Sequence, residues 1–151
     1  MSQDDEQQAL AERVVSTMMA KDAFSQWLGI TVTDIRPRAA TVRMMVRDEM
    51  VNGFGVCHGG IAFSLADSAL AFASNTHGRL TVSIENTITY PKAILPGDIL
   101  TATAEEESAS NRLAFYRVVV RRADEAIVGL FRGTVYRTQK DFFSVSESIS
   151  E

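Results

Sequence analysis

Histidine and cysteine are scarce in this chain of 151 residues, which has two histidines, His58 and His77, and one cysteine, Cys57. A lone cysteine excludes an internal disulfide and fits a reducing compartment, so a cytoplasmic location is expected. No Cys, His or carboxylate cluster with ligand spacing surrounds either histidine, so neither a metal site nor a cofactor is expected. Basic residues are also short: 15 Lys and Arg stand against 19 Asp and Glu, a net charge of −4. They are scattered rather than gathered on one face, which argues against a nucleic-acid partner. The longest apolar run is too short for a membrane span and holds an aspartate. The opening Met1-Ser2-Gln3-Asp4-Asp5-Glu6 is acidic and has no apolar core, unlike a signal peptide. Two catalytic signatures are missing as well. No Gly-x-Ser-x-Gly elbow exists, which argues against a serine hydrolase, and Gly53-x-Gly55 lacks the strand and lysine of a phosphate loop. No internal repeat is visible. At 46% hydrophobic content the chain reads as one globular domain large enough to bury a core.

What is present is concentrated in the middle. The stretch Gly59-Gly60-Ile61-Ala62-Phe63-Ser64-Leu65-Ala66-Asp67-Ser68-Ala69-Leu70-Ala71-Phe72-Ala73-Ser74 carries a single charge, Asp67. Apolar or small side chains cover every side of its helical wheel, the pattern of a helix buried all round. A lone carboxylate there costs several kcal/mol unless it is paired or lines a wet cleft. Asp67 is therefore either bonded to a buried backbone group or cap, or a functional acid, and the second reading is favoured. The loop Asn52-Gly53-Phe54-Gly55-Val56-Cys57-His58 runs straight into the helix start. First-turn N–H groups have no internal partner, and two glycines let an oxygen approach them, which makes an oxyanion site. Cys57 and His58 are sequence neighbours in an extended loop and point apart, so Cys57 reads as a buried free thiol rather than a nucleophile.

Ala9 to Leu28 reads as one amphipathic helix, and Gly29 ends it. Ile30 to Ile35 and Ala40 to Val46 read as strands joined at Arg36-Pro37-Arg38. After the central helix, further strands are expected over Thr81 to Tyr90, Ile99 to Glu106, Leu113 to Arg121 and Ala126 to Arg137. Short connections favour antiparallel pairing. The expected class is α+β, one antiparallel sheet with a single long buried helix. Residues 1–28 form an N-terminal helix packed on the domain, 29–137 the main unit, and 138–151 a frayed tail in which Phe142-Phe143 could dock.

These residues resemble a known family, the hotdog-fold thioesterases of the phenylacetic-acid-degradation type, also called hydroxyphenylacetyl-coenzyme A thioesterases. The resemblance rests on Asn52-Gly53, His58-Gly59-Gly60, Phe63-Ser64-Leu65-Ala66-Asp67, Ile88-Thr89-Tyr90, Pro96-Gly97-Asp98 and Leu130-Phe131-Arg132-Gly133. It implies a sheet wrapped around the long helix, a homodimer often paired into a homotetramer, and active sites built across the subunit interface. By motif, Asp67 would be the catalytic acid, as general base or nucleophile, and the Gly59 amide would polarise the thioester carbonyl. Asn52 would position the reacting groups, with His58 fixing the loop. Ser83 is a candidate for holding the water. Gly60, Thr87, Lys92 and Arg112 are candidates for binding substrate, the last two for the coenzyme A phosphates. The implied reaction is hydrolysis of an aryl-acetyl or short to medium acyl-coenzyme A ester. A hotdog dehydratase or hydratase and a non-catalytic acyl-coenzyme A sensor are the alternatives, each a poorer match. His58 sits in the glycine loop rather than facing the acid, and the first 28 residues are neither basic nor long enough for a DNA-binding extension.

Overall fold

The computed structural model describes residues 1–144. Helix α1 (Gln3–Lys21) starts at a capping box in which Ser2 and Asp5 bond reciprocally, with Asp4, Asp5 and Glu6 at its positive end and Lys21 at its negative one. The expected continuous helix breaks at Asp22. Its backbone leaves the helical region, and its carboxylate accepts from the Ser25 amide at 2.9 Å, so one residue ends α1 and caps α2 (Ala23–Leu28). Gly29, at φ 77°, closes α2 in the left-handed conformation that glycine adopts freely.

Strands β1 (Thr31–Arg36) and β2 (Ala39–Met45) form a hairpin, and the central helix α3 (Gly59–Asn75) follows. Strands β3 (Arg79–Thr89), β4 (Ile99–Ala109), β5 (Leu113–Arg122) and β6 (Ile127–Asp141) complete one antiparallel sheet of order β1-β2-β4-β5-β6-β3. The sheet packs its concave face on α3, and α1 lies against β1 and α3. Leu65, Leu70 and Phe72 of α3 are fully buried and meet Tyr116, Val118 and Phe131 from the sheet in one core cluster. Each such side chain stabilises the fold by about 1.5–3 kcal/mol through burial.

Two further features differ from expectation. Strand β6 continues to Asp141, four residues into the expected tail. Phe142 is buried, its N–H donating to the Gly78 carbonyl at 2.8 Å, while Phe143 lies under the Arg13 guanidinium at 4.6 Å. Phe142 and Phe143 are thus docked against Gly78 and α1, and residues 145–151 of the expected tail lie outside the described residues. α3 is also not enclosed all round: Gly60, Phe63, Ser64, Asp67 and Ala71 share a stripe at helical spacing that the sheet leaves partly open.

Candidate active site

His58 caps α3. Its Nδ1 accepts from the Gly60 amide at 2.9 Å, and its carbonyl accepts from Ile61 at 3.0 Å. Among the described residues that leaves the Gly59 N–H as the first-turn donor without a partner, which is the property an oxyanion donor needs. The Gly59 carbonyl accepts from the Tyr90 hydroxyl at 2.7 Å, pinning the helix mouth to the end of β3. Gly59, His58, Tyr90 and Lys92 line one cleft of about 320 Å³. Asn52 closes its own loop: its Oδ1 accepts from the Phe54 amide at 2.9 Å, and its N–H donates to Val56 at 2.8 Å.

Asp67 lies eight residues further along α3, half-buried, and lines a second cleft of about 280 Å³ together with Ser83. Burial raises its carboxyl above the ordinary carboxylate value. A hydrogen bond from Asn86 opposes that shift and the nearby charge of Asp22 adds to it. The Asn86 Nδ2 donates to Asp67 Oδ1 at 3.1 Å, and Ser83 Oγ donates to Asn86 Oδ1 at 2.8 Å. Next to Asp67, Ser68 bonds Ser25 at 2.8 Å, and Ser25 in turn bonds Asp22 at 2.5 Å, which ties α2 to the helix.

Sequence reasoning missed Asn86, and the reason is geometric. Residues three apart on a regular strand point to opposite faces. The register between β3 and β6 shifts between Ser83 and Glu85, and this bulge turns Ser83 and Asn86 to the same side. Thr87 sits between Asn86 and Ile88, which both face α3, so its side chain lies on the outer face and the structure does not bring it to Asp67. Gly60 spends its amide on the helix cap. Arg112 lies in the β4–β5 turn, bonded to the Tyr136 hydroxyl at 3.0 Å, and this turn meets Arg79, four residues past the C-terminal end of α3. Lys92 lines the cleft at the other end of that helix, so one protomer cannot close both on one phosphate. Burial, then Asp98, raises the Cys57 thiol to about 11, so it stays protonated and unreactive at neutral pH. His77 is held neutral, its value lowered to about 4 by burial and by Arg137 and Arg79, and it takes no part in either cleft. Among the described residues no group of His, Cys, Asp and Glu has metal-binding geometry.

A curved antiparallel sheet around a capped helix that carries an acid and a free first-turn amide is the architecture of a hotdog thioesterase. The thioesterase superfamily model matches residues 54–128, and the chain belongs to that family. It is 41% identical over 133 residues to a putative esterase of Archaeoglobus fulgidus, covering 88% of this chain and 86% of the relative. Its type within the family is that of the PaaI thioesterases. The acyl-coenzyme A thioesterase PaaI of Escherichia coli is 37% identical over 120 residues, 80% of this chain and 86% of that protein. The solved structure of the E. coli PaaI protein superposes with a TM-score of 0.87 at 34% identity, covering 89% of this chain and 97% of that one.

Proposed function

We propose that the chain hydrolyses aryl-acetyl or short to medium acyl-coenzyme A thioesters at sites shared between two copies, with Asp67 as the base. The observation that carries this reading is the placement of Asp67 and Gly59 on one helix. Eight residues at 1.5 Å each separate them by about 12 Å. A carbonyl oxygen and the water attacking its carbon lie within about 3 Å of their respective groups, so the two residues of one protomer cannot serve one substrate. They line separate clefts. A second copy laid antiparallel along the open stripe of α3 brings the Gly59 amide of one chain to the Asp67 of the other. The β3 edge, with Val82 and Ile84 exposed, offers unpaired backbone and apolar surface for the same contact. A dimer, or a tetramer made from two, is the expected assembly.

In the proposed mechanism Asp67 Oδ2 accepts a proton from water as its oxygen attacks the thioester carbon. The charge developing on the carbonyl oxygen is met by the Gly59 N–H, with Asn52 and His58 holding the loop that presents it. The C–S bond then breaks, the free acid forms, and the proton passes from Asp67 to the departing coenzyme A thiolate. A raised proton affinity makes a better base, which is the direction in which burial drives Asp67. Lys92 at the Gly59 cleft has the charge to meet a coenzyme A phosphate. The aryl-acetyl preference draws on the similarity to the E. coli protein, which comes from the phenylacetic acid degradation operon. A reducing cytoplasmic setting fits the free Cys57.

Incubating the protein with a panel of acyl-coenzyme A esters and a thiol-reactive dye tests the proposal. Coenzyme A release with phenylacetyl or short to medium acyl esters is expected. Binding without thiol release would instead mark a sensor, and change in the acyl chain with the thioester intact would mark a hydratase.

A further inference from the structure

We propose that Asn86 is a positioning residue for Asp67, and that Ser83 acts on this carboxylate through Asn86 rather than by touching it. The inference rests on the reading of Asp67 as the base. An asparagine amide has a donor on one side and an acceptor on the other, and here both are spent. Nδ2 donates to Asp67 Oδ1 at 3.1 Å, and Oδ1 accepts from Ser83 Oγ at 2.8 Å. The reversed amide would set oxygen against carboxylate oxygen, so Asp67 selects this orientation, and Ser83 supports it by donating to the amide oxygen on the other side. One carboxylate oxygen is thereby fixed, while among the described residues Asp67 Oδ2 has no hydrogen-bond partner and is left for the water.

The residue opposite Asn86 leaves room for this arrangement. Asn86 pairs across the ladder with Gly133, and a Cβ built there would come within 2.7 Å of Asn86 Oδ1 and 2.5 Å of Leu70 Cδ2. Glycine at 133 lets Asn86 reach down between the strand and α3. Of the charged groups, Asp22 at the α1–α2 joint bears on Asp67, and it disfavours the ionised form as burial does. Asn86 supplies the opposing hydrogen bond, which holds the base ionised at a lower pH than burial alone would allow.

The test compares Asn86→Leu, Ser83→Ala and the double variant by the pH profile of kcat/KM and by carbon-13 NMR titration of the Asp67 carboxyl. In Asn86→Leu, kcat/KM at neutral pH should fall at least about tenfold through lost positioning, and the acid limb and the NMR titration should both move to higher pH. Ser83→Ala should move them the same way by less, and the double variant should be no worse than Asn86→Leu. A purely structural role would lower the folded fraction and leave the limb in place. An unmoved limb in folded Asn86→Leu overturns the proposal, as does a Ser83→Ala loss that adds in full to that of Asn86→Leu. If Asn86→Leu does not fold, Ser83→Ala at its exposed position decides by the same limb. Asp67→Asn separates the two levels. If it keeps wild-type turnover, the base reading fails and takes this proposal with it, whereas a limb abolished by Asp67→Asn but unmoved in Asn86→Leu sinks the role of Asn86 alone.

Discussion

A site shared between two chains makes a quantitative demand on mixed assemblies. Take Asp67→Asn, which loses the proposed base, and Gly59→Pro, which loses the N–H proposed to bind the carbonyl oxygen. Each alone should be at least about a hundredfold slower, the low end for losing general base catalysis or one oxyanion donor. The proline should be accommodated, because it occupies the first helical position and His58 before it already sits at φ −60°, ψ 135°, the extended conformation a proline imposes on its predecessor. In a heterodimer of the two variants, one site takes Gly59 from the first chain and Asp67 from the second, both intact, and the other site has neither. Two-tag purification of the heterodimer should therefore recover about half of the wild-type turnover per dimer, from two parents that are nearly inactive. The structural basis is the separation of about 12 Å along α3, too long for one chain to bridge on one carbonyl. Thioester hydrolysis by the purified heterodimer, with circular dichroism showing both parents folded, is the assay. A heterodimer as inactive as its parents would refute the shared site and return both residues to a single chain.

Two further expectations follow from the same residues. A Cβ at Gly59 would meet the Tyr90 hydroxyl at 3.0 Å and its ring at 3.1 Å, so alanine displaces Tyr90 much as proline does while keeping the N–H. Gly59→Ala should therefore retain clearly more turnover than Gly59→Pro, and equal losses in steady-state assays would mean that the displaced tyrosine, rather than the amide, is what matters. Asp67 predicts a trade between activity and stability. Its proton affinity in the folded chain lies above the ordinary value of 3.8, so its contribution to stability is full below that pH and is lost as pH rises through the folded value. Asp67→Asn should melt above wild type at pH 7, with the advantage fading by about pH 3.5, where carboxylates are mostly protonated in both states. Melting below wild type at pH 7 would contradict the assignment of burial as the dominant influence.

The parts legible in the sequence were those set by periodicity and by local turn chemistry. The apolar wheel of α3, its glycine opening and the strand pattern from Leu113 to Arg122 each state their structure within a residue or two. The break at Asp22 was not legible, because an aspartate between Lys21 and Ala23 looks like one more exposed helical residue until its carboxylate is seen to cap Ser25. Nor was Asn86, since the bulge that turns it inward leaves no mark in the alternation of Val82-Ser83-Ile84-Glu85-Asn86. Arg112 and Lys92 were both read as rim charges because both sit in turns. Only the topology separates them, by sending the β4–β5 turn and the end of β3 to opposite ends of α3.

The double use of Asp22 extends the chemistry beyond the sheet and its helix. The residue that bends the chain between α1 and α2 also sets a negative charge within reach of Asp67. The Ser25–Ser68 bond clamps that charge in place one residue from the acid. Replacing Asp22 with asparagine would thus leave every proposed catalytic group present and a base of altered strength. Its proton affinity would fall, and its working range would slide toward acid. A sequence can in this way retune an enzyme's pH response by changing a helix joint outside the helix that carries the acid.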